Sequence, residues 1–148
     1  MADSGLRLLA EDEEDLKILS AHVQDAVVRV GDLAYLPKTR RFAMLLNRYR
    51  WEDDADAKNA GLRMRSGLHF ENVLRAKSAN LRQDDPDAVV ELLAIGFTPG
   101  SDGAGTIELC LAGGGHIRLE VECIDASLRD LEGPWPAKAR PEHKLEPG

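Results

Sequence analysis

The chain has 148 residues, 43% of them hydrophobic and 30% charged, and a formal net charge of −7. That is enough apolar material for one packed domain and too much for wholesale disorder. The acidic balance makes nucleic-acid binding unlikely on charge grounds, and no apolar run approaches the roughly 20 residues of a membrane span.

The N-terminus meets acid almost at once and lacks the basic-then-apolar pattern of a secretory signal, so a cytoplasmic protein is expected. Residues 6–10 (LRLLA) read as a short strand or arm. Over residues 12–25, Leu16, Leu19, Val23 and Ala26 recur at helical steps. Asp12 is placed to cap that helix, and Glu13, Glu14 and Asp15 put negative charge on its first turn. His22 beside the stripe is expected to be half-buried. The pattern then turns to strand, in VVRV and DLAYL. Pro37, which has no amide hydrogen, marks a turn before RFAMLLNRYRW.

Residues 52–61 are polar and read as a loop. Residues 66–82 are ambiguous between a helix and a strand bulged near Asn72. AVVELLAIGF, residues 88–97, is apolar on both alternating faces, which predicts a central strand covered on both sides. TIELCLA and HIRLEVECID follow as a pair. The texts GLHFENVLRAKS and GHIRLEVECIDAS are comparable, but their registers drift, and alternation alone accounts for the likeness. Residues 1–131 are therefore read as a single domain. Residues 132–148, rich in proline, are read as an irregular tail with Trp135 tacked onto the body.

The three glycines of CLAGGGHIRLEVECID match no phosphate-binding loop, because they lead into another strand instead of a helix. A three-residue loop of Gly113, Gly114 and Gly115 keeps apolar faces together. It sets Leu111 opposite Ile117, Leu109 opposite Leu119, Ile107 opposite Val121, Glu108 opposite Glu120 and Cys110 opposite Arg118. Cys110 and Cys123 then point to opposite faces and stay unbridged, with Cys123 in the core. No histidine pair has metal-ligand spacing, and no metal or cofactor is implied.

Charge is unevenly spread. Residues 38–82 hold 11 of the 19 Lys and Arg but 5 of the 26 Asp and Glu. Within this stretch Arg48 and Arg50 alternate with Tyr49 and Trp51, and Arg40 and Arg41 precede them at the turn. Arginine pairs suit phosphate or carboxylate ligands. The competing reading is a cross-strand salt bridge to Glu108, Glu120 or Glu122.

The blocks SAHVQDAVVRVGDLAYLPKTRRFAMLLNRYRWE, GLHFENVLRAK and AGGGHIRLEVECIDASLRDLEGPW together resemble an uncharacterised bacterial family, domain of unknown function 2948, met mainly in alphaproteobacteria. The resemblance spans nearly the whole chain and brings no activity, cofactor or site residue with it.

The expected fold is α+β, an N-terminal helix packed on a mostly antiparallel, curved or barrel-like sheet of about six strands. The leading functional expectation is a non-enzymatic binding or adaptor module that uses the arginine face of residues 40–50. The alternative is a small-molecule or phosphometabolite-binding enzyme with Arg48, Arg50, His69 and His116 converging in a pocket. The expected partner is an unknown protein or an anionic small molecule, with a homodimer as a further option and no membrane.

Overall fold

The computed structural model describes residues 5–50 and 62–136. The chain runs β1 (Arg7–Ala10), α1 (Glu13–His22), β2 (Ala26–Arg29), a 3₁₀ turn (Val30–Asp32), β3 (Leu33–Leu36) and β4 (Arg41–Tyr49). It continues with β5 (Leu62–Phe70), β6 (Val73–Ala79), β7 (Val89–Pro99), β8 (Gly105–Leu111), β9 (His116–Val121) and β10 (Ala126–Pro136). The helix packed on an antiparallel sheet is as expected. Among the described residues, however, the sheet has ten strands, not six, and it is not closed into a barrel. With one ten-residue helix among them, the protein is mainly β and not a clear α+β fold.

The helix begins where the acids place it. The Asp12 side chain accepts from the Asp15 amide at 2.8 Å, and three acidic residues occupy the first turn. Leu16, Leu19 and Val23 are fully buried in the core. The helix packs chiefly on β7 and β1. Its Ser20 hydroxyl accepts from the Ile95 amide at 2.9 Å, next to the register shift between Leu92 and Ala94. His22 is half-buried, with Nδ1 2.9 Å from the Ile18 carbonyl oxygen.

The strands follow the order β1-β10-β5-β4-β2-β7-β8-β9-β6, with β3 pairing β4 off this path. Two bent ribbons organise it. β5 runs into β6 through Glu71 and Asn72, and β9 runs into β10 through residues 122–125. The ribbons pair antiparallel along both arms, from Ala126↔Phe70 on one side to Val73↔Val121 on the other. At the corner the Glu71 amide donates to the Asp125 carbonyl at 2.8 Å, and the Glu122 amide to the Asn72 carbonyl at 3.0 Å. These ribbons are the two stretches of comparable text, so their likeness is that of antiparallel partners bent at one corner. Residues 66–82 are thus strand, corner, strand. Asn72 takes the left-handed backbone (φ 58°) that turns the chain where a bulge was expected.

One core fills the fold and draws on both arms, with Leu16, Phe42, Leu68, Phe70, Ile107, Leu119 and Leu128 among its members. Three expectations are corrected here. β7 lies between β2 and β8, but only one of its faces is covered: Leu92 and Ile95 are buried while Leu93, Ala94 and Gly96 are exposed. The β8–β9 hairpin keeps the expected apolar face, with Ile107, Leu109, Leu111, Ile117, Leu119 and Val121 all buried. Its register is two residues away: Leu109↔Ile117, Ile107↔Leu119, Glu108↔Arg118. The loop is residues 112–115, a 3₁₀ turn at Ala112–Gly114 closed by the Leu111 amide on the Gly115 carbonyl at 2.9 Å.

This loop explains the glycine run by two separate causes. Gly113 and Gly114 hold positive φ (86° and 91°), while a Cβ on Gly115 would come within 2.8 Å of the Asn80 carbonyl oxygen. The shift also replaces an acid–acid pair by Glu108–Arg118 at 3.0 Å. Third, β9 ends at Val121, so Cys123 falls in the corner and is exposed, with its Sγ 3.3 Å from Asn72 Nδ2. Both cysteines are free.

The backbone of residues 132–136 continues β10, pairing Trp135 with Arg63, so strand extends into the segment read as tail. The loop expected at 52–61, Trp51 and residues 137–148 lie outside the described residues. So does the Trp135 side chain.

Candidate functional site

Alternation along β4 and β5 sorts the arginines onto two faces. On β4, Phe42, Met44, Leu46 and Arg48 point inward and are buried; on β5, Met64, Ser66, Leu68 and Phe70 do the same. Arg48 is therefore enclosed, with 0% of its side chain exposed. Its Nε and Nη2 donate to the two carboxylate oxygens of Asp130, each at 2.8 Å. Asp130 also accepts from the Ser66 hydroxyl at 2.6 Å and the Leu6 amide at 2.8 Å. Burial alone would raise the Asp130 carboxyl. Hydrogen bonds from Arg48, Ser66 and Leu6, together with the Arg48 charge, outweigh it and hold the carboxyl below its ordinary value. For Arg48 the salt bridge thus exists, with Asp130 as its partner; the expected Glu122 is met instead by Arg40.

The other candidates scatter. Arg40 sits at the β3–β4 turn in a left-handed conformation and pairs with Glu122 at 3.3 Å. Arg41 Nε and His69 Nδ1 both approach Glu71 Oε2, at 2.8 and 2.7 Å. Arg40, Arg41 and His69 therefore gather around the corner. Arg50 lies past the end of β4. His116 opens β9 on the other arm, between Cys110 and Ala79. Arg48 and His69 are on opposite faces of the β4–β5 layer, so Arg48, Arg50, His69 and His116 do not line one pocket.

The outward positions build a different site. In one row Ala34, Ala43, His69, Ser127 and Leu9 are successive cross-strand partners. In the next, Leu45, Gly67, Arg129 and Arg7 are. Small side chains at 43, 67 and 127 make a floor. Leu131, the extra residue where the β10 register shifts, lies over Gly67, since a Cβ there would sit 3.7 Å from its Cδ1. The result is a groove of about 390 Å³, with Arg7, Arg129, His69 and Asp32 among its lining.

Arg7 and Arg129 are both exposed and stand directly opposite each other. Among the described residues, neither has a carboxylate within ion-pair distance. Sequence reasoning missed both. The local signal was weak, since ASLR alternates apolar and polar positions but RLLA does not. What brings them together is a pairing between strands more than a hundred residues apart.

A family model described as Protein of unknown function (DUF2948) matches residues 6–143. The chain belongs to that family. No curated protein and no solved structure matches it. The match takes in β1 and β10, so the groove and the Arg48–Asp130 pair lie wholly within the family's span. Among the described residues, no group of three or more His, Cys, Asp or Glu is placed to hold a metal ion, and no helix is long and apolar enough to cross a membrane.

Proposed function

We propose that this protein is a non-enzymatic binding module that takes a small anionic ligand in the groove of β1, β10, β5 and β4. One observation carries the reading: Arg7 and Arg129 face each other across two strands without a carboxylate between them among the described residues. Like charges directly opposite each other cost stability, and an anion shared by two guanidinium groups reverses that cost. The small floor at Ala43, Gly67 and Ser127 gives the anion room to reach them. Exposed Leu9 and Leu131 flank the site and favour a ligand that is not purely ionic.

The test is a thermal-shift screen with inorganic phosphate, pyrophosphate, nucleotides, phosphorylated sugars and dicarboxylates. It is run on the wild type and on Arg7→Glu/Arg129→Glu. A ligand at about 100 times its Kd stabilises the folded state by about 2.7 kcal/mol and raises Tm. The expected result is at least one anion that stabilises the wild type and not the double variant. If every anion acts equally on both, the groove is not the site. Recovery of a chemically altered ligand would overturn the non-enzymatic part.

A further inference from the structure

The sheet is open between β3 and β6, and that seam has chemistry of its own. Among the described residues, β3 pairs only with β4, and β6 pairs only with β9. The inward residues of β6 are small. The register shift between Val73 and Arg75 turns Ala76 and Ser78 to the inside, opposite buried Leu119 and Ile117. Across the seam β3 turns Leu33 and Tyr35 inward, opposite buried Met44 and Phe42. Large groups on one side and small ones on the other leave a cleft of about 580 Å³, a volume typical of small-molecule sites.

The walls carry the apolar side chains of Val30, Leu33, Tyr35, Phe42, Leu81 and Ile117. Tyr35 closes the end near the corner by donating its hydroxyl to the Val73 carbonyl at 2.9 Å. Lys77, Ser78 and Gln83 add polar side chains, with Gln83 Nε2 donating to Ser78 Oγ at 2.7 Å. Lys77 and Arg118 are cross-strand partners, but their charges are not equally available. Arg118 is held by Glu108 at 3.0 Å. Lys77 alternates with Ala76 and Ser78, so it leaves β6 on the outer face and borders the cleft from its exposed side, with no carboxylate within ion-pair distance among the described residues.

We propose that the seam between β3 and β6 binds a small amphipathic carboxylate, its apolar body between Leu33, Tyr35, Phe42 and Ile117 and its head at Lys77. One available ammonium group matches one negative charge. An apolar body covers wall residues that are only half-buried, Leu33, Tyr35, Ala76 and Leu81, and removing that surface from water drives binding. The cleft shares Ala34 with the arginine groove but none of its arginines, and it does not depend on them.

Decanoate is the probe, titrated into isotope-labelled full-length protein and followed by amide chemical shifts. Shifts are expected at β3 and β6 and not at Arg7 or Arg129. Lys77→Glu, at an exposed position, should weaken decanoate about fivefold or more, the scale of one ion pair. Decanol should bind the wild type and Lys77→Glu alike. Ala76→Leu should block the probe by filling the cleft. Arg7→Glu/Arg129→Glu should bind decanoate as the wild type does. The proposal is overturned if decanoate does not bind, if its shifts map to the groove, or if Lys77→Glu binds it unchanged.

Discussion

Arg129 and Asp130 are neighbours on β10 and point to opposite faces, where they meet opposite electrostatic fates. Inside, the Asp130 side chain is 3% exposed and its two oxygens take four donors, from Arg48, Ser66 and Leu6. Outside, Arg129 faces a second arginine and solvent. The inner pair is complete, so its charges are spent on holding β1, β4, β5 and β10 together. The outer pair is incomplete, so its charges are available to something else. Charged residues on adjacent positions of one strand can thus serve structure and recognition separately, because the period of two sends them to different media.

The largest expected effect breaks the inner side. Asp130→Ala leaves the Arg48 guanidinium buried and unpaired, which should cost about 3–5 kcal/mol in urea denaturation. Removing the whole set, as Arg48→Met/Ser66→Ala/Asp130→Leu, should cost much less, because no charge is left uncompensated. If the single and triple variants lose equal stability, the pair is not what makes Asp130→Ala costly.

Acid tests the same pair without changing packing. The folded-state carboxyl of Asp130 titrates below its unfolded value. Its contribution is therefore complete above the unfolded carboxylate pKa and is lost as pH falls through the lower folded value. Stability measured across that acid window should fall more steeply for the wild type than for the triple variant. Parallel curves would remove Asp130 from the account.

How much of this was legible in the residues depends on distance along the chain. The α1 cap, the buried stripe of Leu16, Leu19 and Val23, and the apolar face of β8 and β9 follow from local periods and were read correctly. The hairpin register was not, because a two-residue slip keeps every side chain on its own face and so leaves the apolar pattern unchanged. What decides it is loop chemistry that alternation does not encode: two left-handed glycines, and a third pressed against Asn80. Gly115→Ala should therefore cost about 1–3 kcal/mol through that contact, and Gly113→Ala about 1–2 kcal/mol through its backbone. Thermal denaturation of the two variants would check both. The exposed outer face of β7 was misread for a related reason, since an apolar run does not say whether a second layer will cover it. The sites depend most on distant pairings. An arginine on the apolar face of β4, a serine on that of β5 and an aspartate on that of β10 are each anomalous alone, and only strand pairing makes them one network.

The smallest expected effect is on the outer side and has the opposite sign. Arg129→Glu replaces a like-charge cross-strand pair with an attractive one against Arg7. It should raise stability by up to about 1 kcal/mol at low salt. The gain should shrink as ionic strength rises, because both side chains are exposed. Arg129→Gln, which removes the repulsion without adding attraction, should fall between the two. A groove shaped for an anion predicts more than this order of stabilities. The same substitutions should weaken anion binding in the reverse order, wild type strongest and Arg129→Glu weakest. If stability rises while anion binding is unchanged, the arginine pair is only a tolerated repulsion. If both move, the two residues are held together at a cost that their ligand offsets.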